Sequence, residues 1–192
     1  MWPWEHVAFG FLLWAGYAHL RRRRRVRTDE ALAVAVATQF PDLIDKPLAW
    51  TFHVLPSGVS LAHSLAFALP VTALVAFAGR RRGRTTAAAA FAVGYGSHLL
   101  GDAIYPLAGG GPFSPWFVLW PLVPTSSSAT HGLVGNFLYY FRIYLSLLHT
   151  PRGIVYAAFE LALLGGALAV WVHDGTPGLP ALRGSGRSEH AE

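Results

Sequence analysis

The chain alternates long apolar runs with short polar breaks. Trp2 to Leu20 is the first run, interrupted by Glu5, His6 and His19. Trp2, Trp4 and Tyr17 lie near its ends, as aromatics do at a membrane interface. No charged segment precedes the run and no small-residue cleavage site follows it, so it reads as a retained helix rather than a signal peptide. Thr28 or Asp29 caps a second helix, which carries Asp29 and Glu30 in its first turn. Pro41 and Pro47 are expected to kink or end that helix, because proline lacks the N–H and disfavours helical geometry in the residue before it. Asp29 to Asp45 would span about 25 Å at the helical rise, a little short of a hydrocarbon core of about 30 Å.

Leu48 to Ser60 reads as a short loop or half-helix, with Pro56 and Gly58 as turn residues. The third run is Leu61 to Gly79, with a kink expected at Pro70, and the fourth is Thr85 to Pro106. Leu107 to Ser128 is rich in glycine, proline and serine and reads as an irregular interfacial or re-entrant loop. His131 to Leu148 either spans or lies along the interface, and Ile154 to Val172 is a clear last helix. The pattern predicts an all-α, polytopic membrane helix bundle of five or six hydrophobic helices. It forms one domain over residues 1–174, followed by a flexible polar tail over 175–192.

Composition supports this picture. Hydrophobic residues make up 53% of the 192 positions and charged ones 13%, about half the charged share of a typical soluble domain. Mean hydropathy is +0.38. Cysteine is absent, so neither a disulfide nor a thiolate ligand is available. The net charge of +5 comes from arginines in two short blocks, Arg21 to Arg25 with Arg27, and Arg80 to Arg84. Between apolar runs, such blocks report cytoplasmic orientation and contact with anionic lipid; no nucleic-acid partner is expected.

Orientation then gathers the chemistry. If both arginine blocks share one face, four alternating spans place the other ends of the runs together. Those ends carry His6, Asp42 and Asp45, His63 and Ser64, and His98 and Asp102. His98 and Asp102, four residues apart, share one helical face. Imidazoles and carboxylates together can hold a hard or borderline divalent ion, and ionisable groups in a membrane-length run are functional candidates by default. His6, Asp42, His63, His98 and Asp102 are therefore the candidate metal ligands, with Lys46 placed to neutralise one aspartate. Glu5 points away from His6 and is expected to be solvated. Arg142 and Glu160 are expected to pair between the last two segments, and His19 has no partner in the pattern.

Four elements in order carry a family resemblance. They are His6 to Gly10 as an HxxxG opening, Pro41-Asp42-Leu43-Ile44-Asp45 as a PDxDx element, Ala62-His63-Ser64 as a THS element, and Ser97 to Asp102 as an SHLxxD element. Together the chain resembles the membrane-bound metal-dependent hydrolases, the LexA-binding, inner-membrane-associated hydrolase-like proteins, over its first two thirds. The resemblance implies an all-helical membrane protein with a His/Asp metal centre. One departure stands out: many members carry His-Arg-Gly before the THS element, where this chain has Gly58 to Ala62.

Two functions follow. The first is a metal-dependent hydrolase of a lipid-borne or amphiphilic ester or phosphoester at the outer membrane face. A divalent ion such as zinc would activate water, with Asp45 as candidate base and Ser64 as a candidate catalytic hydroxyl. No G-x-S-x-G elbow supports a serine triad. The second is a non-catalytic scaffold or ion-handling carrier with a structural His/Asp cluster. Carriers place their polar groups near the bilayer midplane, whereas these lie at helix ends.

Overall fold

A computed structural model describes residues 1–126 and 131–179. The end of the expected Leu107–Ser128 loop and most of the expected polar tail lie outside the described residues. The six α-helices are α1 (Pro3–Arg22), α2 (Thr28–Trp50), α3 (Leu65–Arg81), α4 (Thr85–Ile104), α5 (Gly132–Leu147) and α6 (Pro151–His173). Two short 3-10 turns, Tyr105–Gly109 and Trp116–Leu119, connect α4 towards α5. No strand occurs among the described residues, so the fold is all-α.

Local sequence explains the helix starts. Pro3 opens α1, and the Glu5 carboxylate folds back to accept the Trp2 N–H at 2.6 Å. In α2, Glu30 accepts the Arg27 N–H at 3.2 Å. Ser64 caps α3 by accepting the Phe67 N–H at 3.3 Å. The expected break at Pro41 and Pro47 does not occur: α2 runs continuously to Trp50. Pro41 is fully buried, and α2 packs along α4 and α1 over its length. That packing outweighs the roughly 3 kcal/mol an interior proline costs. Pro70 is likewise carried inside a continuous α3.

α1 to α4 alternate in direction, and α4 lies centrally against α1, α2 and α3. Glycine permits the tightest crossings. A Cβ on Gly10 would fall 2.5 Å from Thr38 Cγ2 and 2.8 Å from Ser97 Oγ, where α1, α2 and α4 meet. A Cβ on Gly94 would fall 3.0 Å from the Val34 carbonyl oxygen. Small residues at a helix crossing let backbones approach closely. Two apolar clusters lie on the sides of this core, one around Phe11, Trp14 and Val34, the other around Phe91, Tyr95 and Leu99.

The distribution of polarity is inverted relative to a soluble bundle. Glu5, His6, Glu30, Asp45, His63 and His98 are fully buried, while Leu20, Leu69, Leu74 and Leu161 face outward. Charged side chains are almost never fully buried unless paired. Among the described residues, α6 alone is long and apolar enough to cross a membrane by length and composition. The inward-facing polar residues dilute α1, α2 and α4, and α3 has 17 residues.

Candidate metal centre

Three elements deliver four side chains to one end of the bundle. Asp42 comes from α2, His63 from the loop that precedes α3, and His98 and Asp102 from successive turns of α4. One ligating atom from each lies within 4.8 Å of the others, so this buried group can hold a metal ion.

Each imidazole is aimed by its second nitrogen. His98 Nδ1 donates to the Thr38 carbonyl oxygen at 2.6 Å, which leaves Nε2 facing inward. His63 Nδ1 lies 2.8 Å from Asp45 Oδ2, which leaves its Nε2 facing inward too. The two Nε2 atoms are 3.0 Å apart. With both Nδ1 positions protonated, two lone pairs face each other unless a cation or a proton stands between them. Ligand nitrogens on a tetrahedral ion with bonds of about 2.0–2.1 Å lie about 3.3 Å apart, close to the spacing seen here. Asp102 Oδ2 is 3.4 Å from each of these nitrogens, and Asp42 Oδ1 is 3.5 Å from His63 Nε2 and 3.8 Å from His98 Nε2.

The carboxylates supply the opposite charge. Asp42 Oδ2 is held by the Lys46 ammonium, one turn on, as the spacing predicts. Asp42 Oδ1 is buried without a hydrogen-bond partner. Asp102 Oδ1 accepts from the Met1 amino group at 2.6 Å. Burial disfavours the charged form of His63, but Asp102, Asp42 and Asp45 together outweigh it and hold the imidazole up at about 10. The metal-free cluster therefore keeps a proton where a metal ion would sit.

His6 is drawn to the same place but differently bound. Its ring stacks on His98 at 3.9 Å between centroids, and its Nε2 lies 3.1 Å from Asp102 Oδ1. The approach lacks hydrogen-bond alignment, and both His6 nitrogens are buried without a partner. His6 thus borders the four-residue group without belonging to it.

Asp45 and Ser64 are committed to the loop. Asp45 is fully buried and accepts the backbone N–H of Ser60 (2.8 Å), Ala62 (2.9 Å) and His63 (3.2 Å) as well as facing the His63 ring. The loop that lacks the His-Arg pair thus folds its backbone around this carboxylate. The Ser64 hydroxyl donates to the Leu61 carbonyl at 2.7 Å while capping α3. The Tyr95 hydroxyl donates to the Ala62 carbonyl oxygen and ties the loop to α4.

Other expectations are corrected. Glu5 is buried rather than solvated: it is bound by the Trp2 N–H and the Tyr156 hydroxyl. Glu160 is bound by Trp4 Nε1 at 2.6 Å and the Tyr144 hydroxyl at 2.7 Å, in place of Arg142. His19 has a partner after all, Asp174 at 2.9 Å. The pattern of the sequence missed the Thr38 carbonyl as the His98 partner, since a backbone acceptor leaves no residue-type signal.

The model of the YdjM inner membrane protein family matches residues 1–175. The chain belongs to this family. The match agrees with the membrane association that the sequence motifs imply, and the YdjM description names a location and no reaction. It spans all six helices and every residue of the four-residue group. No curated protein and no solved structure matches this YdjM-family chain.

Proposed function

We propose that the protein is a multi-pass inner-membrane hydrolase whose divalent metal ion, zinc or an ion of similar preference, is held by Asp42, His63, His98 and Asp102. One observation carries the metal reading. Two buried Nε2 atoms face each other at 3.0 Å with both partner nitrogens already committed, beside a carboxylate oxygen that has no partner. A closed structural cluster would leave no buried carboxylate oxygen such as Asp42 Oδ1 without a partner.

The polytopic arrangement is supported by helix lengths and by the inverted polarity. α1, α2 and α4 have 20, 23 and 20 residues, or about 30–35 Å at the helical rise. Leu13, Leu20, Leu32 and Leu43 face out, while Glu5, His6, Asp42, Asp45 and His98 face in. With both arginine blocks cytoplasmic, the metal centre opens at the outer face. Single cysteines at Val54 and Arg82, in a chain with no native cysteine, test this. Val54 is exposed and should label from outside, with Arg82→Cys protected. The reverse pattern would remove the shared-face arrangement.

Asp42, His63, His98 and Asp102 would hold the divalent ion, which would supply Lewis acidity for a substrate oxygen and for water. The chain's own residues do the rest. Asp45 fixes the His63 ring and its tautomer, so it acts as a positioning residue rather than as the base. The Thr38 carbonyl does the same for His98. Ser64 holds the loop as a helix cap. His6, with both ring nitrogens unpartnered at the edge of the group, takes the proton released by water and returns it to the departing alcohol. Hydrolysis then balances: water's oxygen bonds to the phosphorus or acyl carbon, the ester oxygen leaves as the alcohol with the proton that His6 relays, and water's other proton stays with the acid product. Placement at helix ends rather than at the midplane favours an enzyme over an ion carrier.

The test is turnover of bis(p-nitrophenyl) phosphate and p-nitrophenyl acetate by metal-loaded protein in detergent. Activity should vanish with EDTA, return with added divalent ion, and be absent from His98→Ala. Tight metal binding with no turnover of either ester would favour a scaffold.

A further inference from the structure

A cavity of about 790 Å³ opens between α2 and α5 and reaches the metal-ligating group. That size lies within the range of roughly 300–1,000 Å³ typical of ligand pockets. Its polar groups cluster at one end, where Asp42, Asp102 and Lys46 form the wall. The remainder is apolar and aromatic, with Phe137, Tyr140 and Ile143 of α5 facing Trp50 of α2. α5 itself buries one residue, Asn136, so it stands over the cavity as a loosely held wall and not as a packed core helix.

Charge decides what this cavity accepts at its polar end. The carboxylates of Asp42 and Asp102 contribute −2, and Lys46 and the Met1 amino group contribute +2, so this end is balanced. A divalent ion adds +2 and makes the same end positive. The metal-loaded end therefore attracts an anionic head more strongly than the metal-free end does. Lys46 is also held over the Trp50 ring, 5.7 Å from its centroid, where the apolar wall begins.

We propose that the α2–α5 cavity is a tail slot and that the substrate is an anionic amphiphile, a phosphate-bearing lipid. Its head is engaged by Lys46 and the metal-ligating group, and its hydrocarbon chain runs along α5. This rests on the metal-centre reading above and adds to it the class of substrate. Apolar walls bind the chain by burial, and the charged end selects the head.

Photo-crosslinking tests it without requiring turnover. The protein is placed in phosphatidylcholine nanodiscs doped with phosphatidic acid or phosphatidylcholine carrying a diazirine in the same acyl chain. Metal content is measured on the same samples. Labelling by phosphatidic acid is expected on the peptides that hold Phe137, Tyr140 and Trp50. It should fall by roughly tenfold or more with EDTA, or in Lys46→Gln, the scale expected for a lost charge partner. Phosphatidylcholine should label these peptides weakly, with no response to EDTA, and millimolar inorganic phosphate should not displace phosphatidic acid. Metal-loaded protein that labels equally with both lipids, or only on α6, overturns the tail slot. Metal-free protein that still prefers phosphatidic acid through Lys46 overturns the metal reading and leaves the slot standing. Absence of both metal and preference overturns the two together.

Discussion

Both ends of the bundle bury carboxylates, and they hold them in different ways. At the arginine end, Glu30 receives both arms of Arg24, at 2.9 and 2.7 Å, with Trp14 Nε1 at 3.3 Å and the Arg27 N–H at 3.2 Å. Asp174 there accepts the Val26 N–H at 3.0 Å and faces His19. These groups are closed networks that tie the α1–α2 connection to the end of α6. At the opposite end, Asp42 Oδ1 and both His6 nitrogens have no partner, and two imidazole nitrogens face each other. Burial alone does not distinguish the ends. Satisfaction does: a fully satisfied polar network rigidifies, whereas convergent unsatisfied atoms mark a place for something else.

The difference can be broken most strongly at the imidazole pair. His98→Ala and Asp102→Asn should each lower metal affinity by more than the roughly 10–100-fold that loss of an outer partner costs. The helical fold should survive in both, as read by circular dichroism and metal titration. Asp45→Asn acts one step out. It should lower affinity by roughly 10–100-fold, and it should also lower the melting temperature, because three backbone N–H groups lose a charged acceptor. Proton competition sharpens the same end. His63 holds its proton up to about 10 in the metal-free protein, so metal binding must expel it. Affinity measured in detergent should therefore rise by about tenfold per pH unit from neutrality and level off near pH 10, with one proton released per ion bound. The smallest effect on metal belongs to the arginine end. Glu30→Gln should leave metal affinity unchanged while lowering stability by about 1–3 kcal/mol, visible as a lower melting temperature.

Much of this was legible in the residues. Alternating apolar runs predicted the helices, and the two arginine blocks fall at the end of the bundle opposite the four-residue group. The i, i+4 spacing of His98 and Asp102 placed both on one face, and Lys46 on Asp42 followed the same rule. What escaped reading was set by tertiary contact. Pro41 and Pro47 stay helical because α2 is clamped against α4, which proline chemistry by itself does not reveal. Asp45 looked like a candidate base, and only the folded loop shows its oxygens spent on backbone N–H groups. Glu5 and Glu160 looked solvated and Arg-paired, yet Tyr156 and Trp4 bind them from the opposite end of the chain, and Tyr144 binds Glu160 from α5. The two pairs formed by Tyr156 and Trp4, 151 and 156 residues apart, leave no local periodic signal.

The claim that one end of the bundle is a metal centre and the other a structural lock rests most directly on bound metal. Metal content per chain, measured after purification and dialysis for the wild type, His98→Ala and Glu30→Gln, tests both ends at once. One divalent ion is expected in the wild type and in Glu30→Gln, and none in His98→Ala. An ion retained at full content by His98→Ala, or no ion in any of the three after loading with zinc, would contradict it.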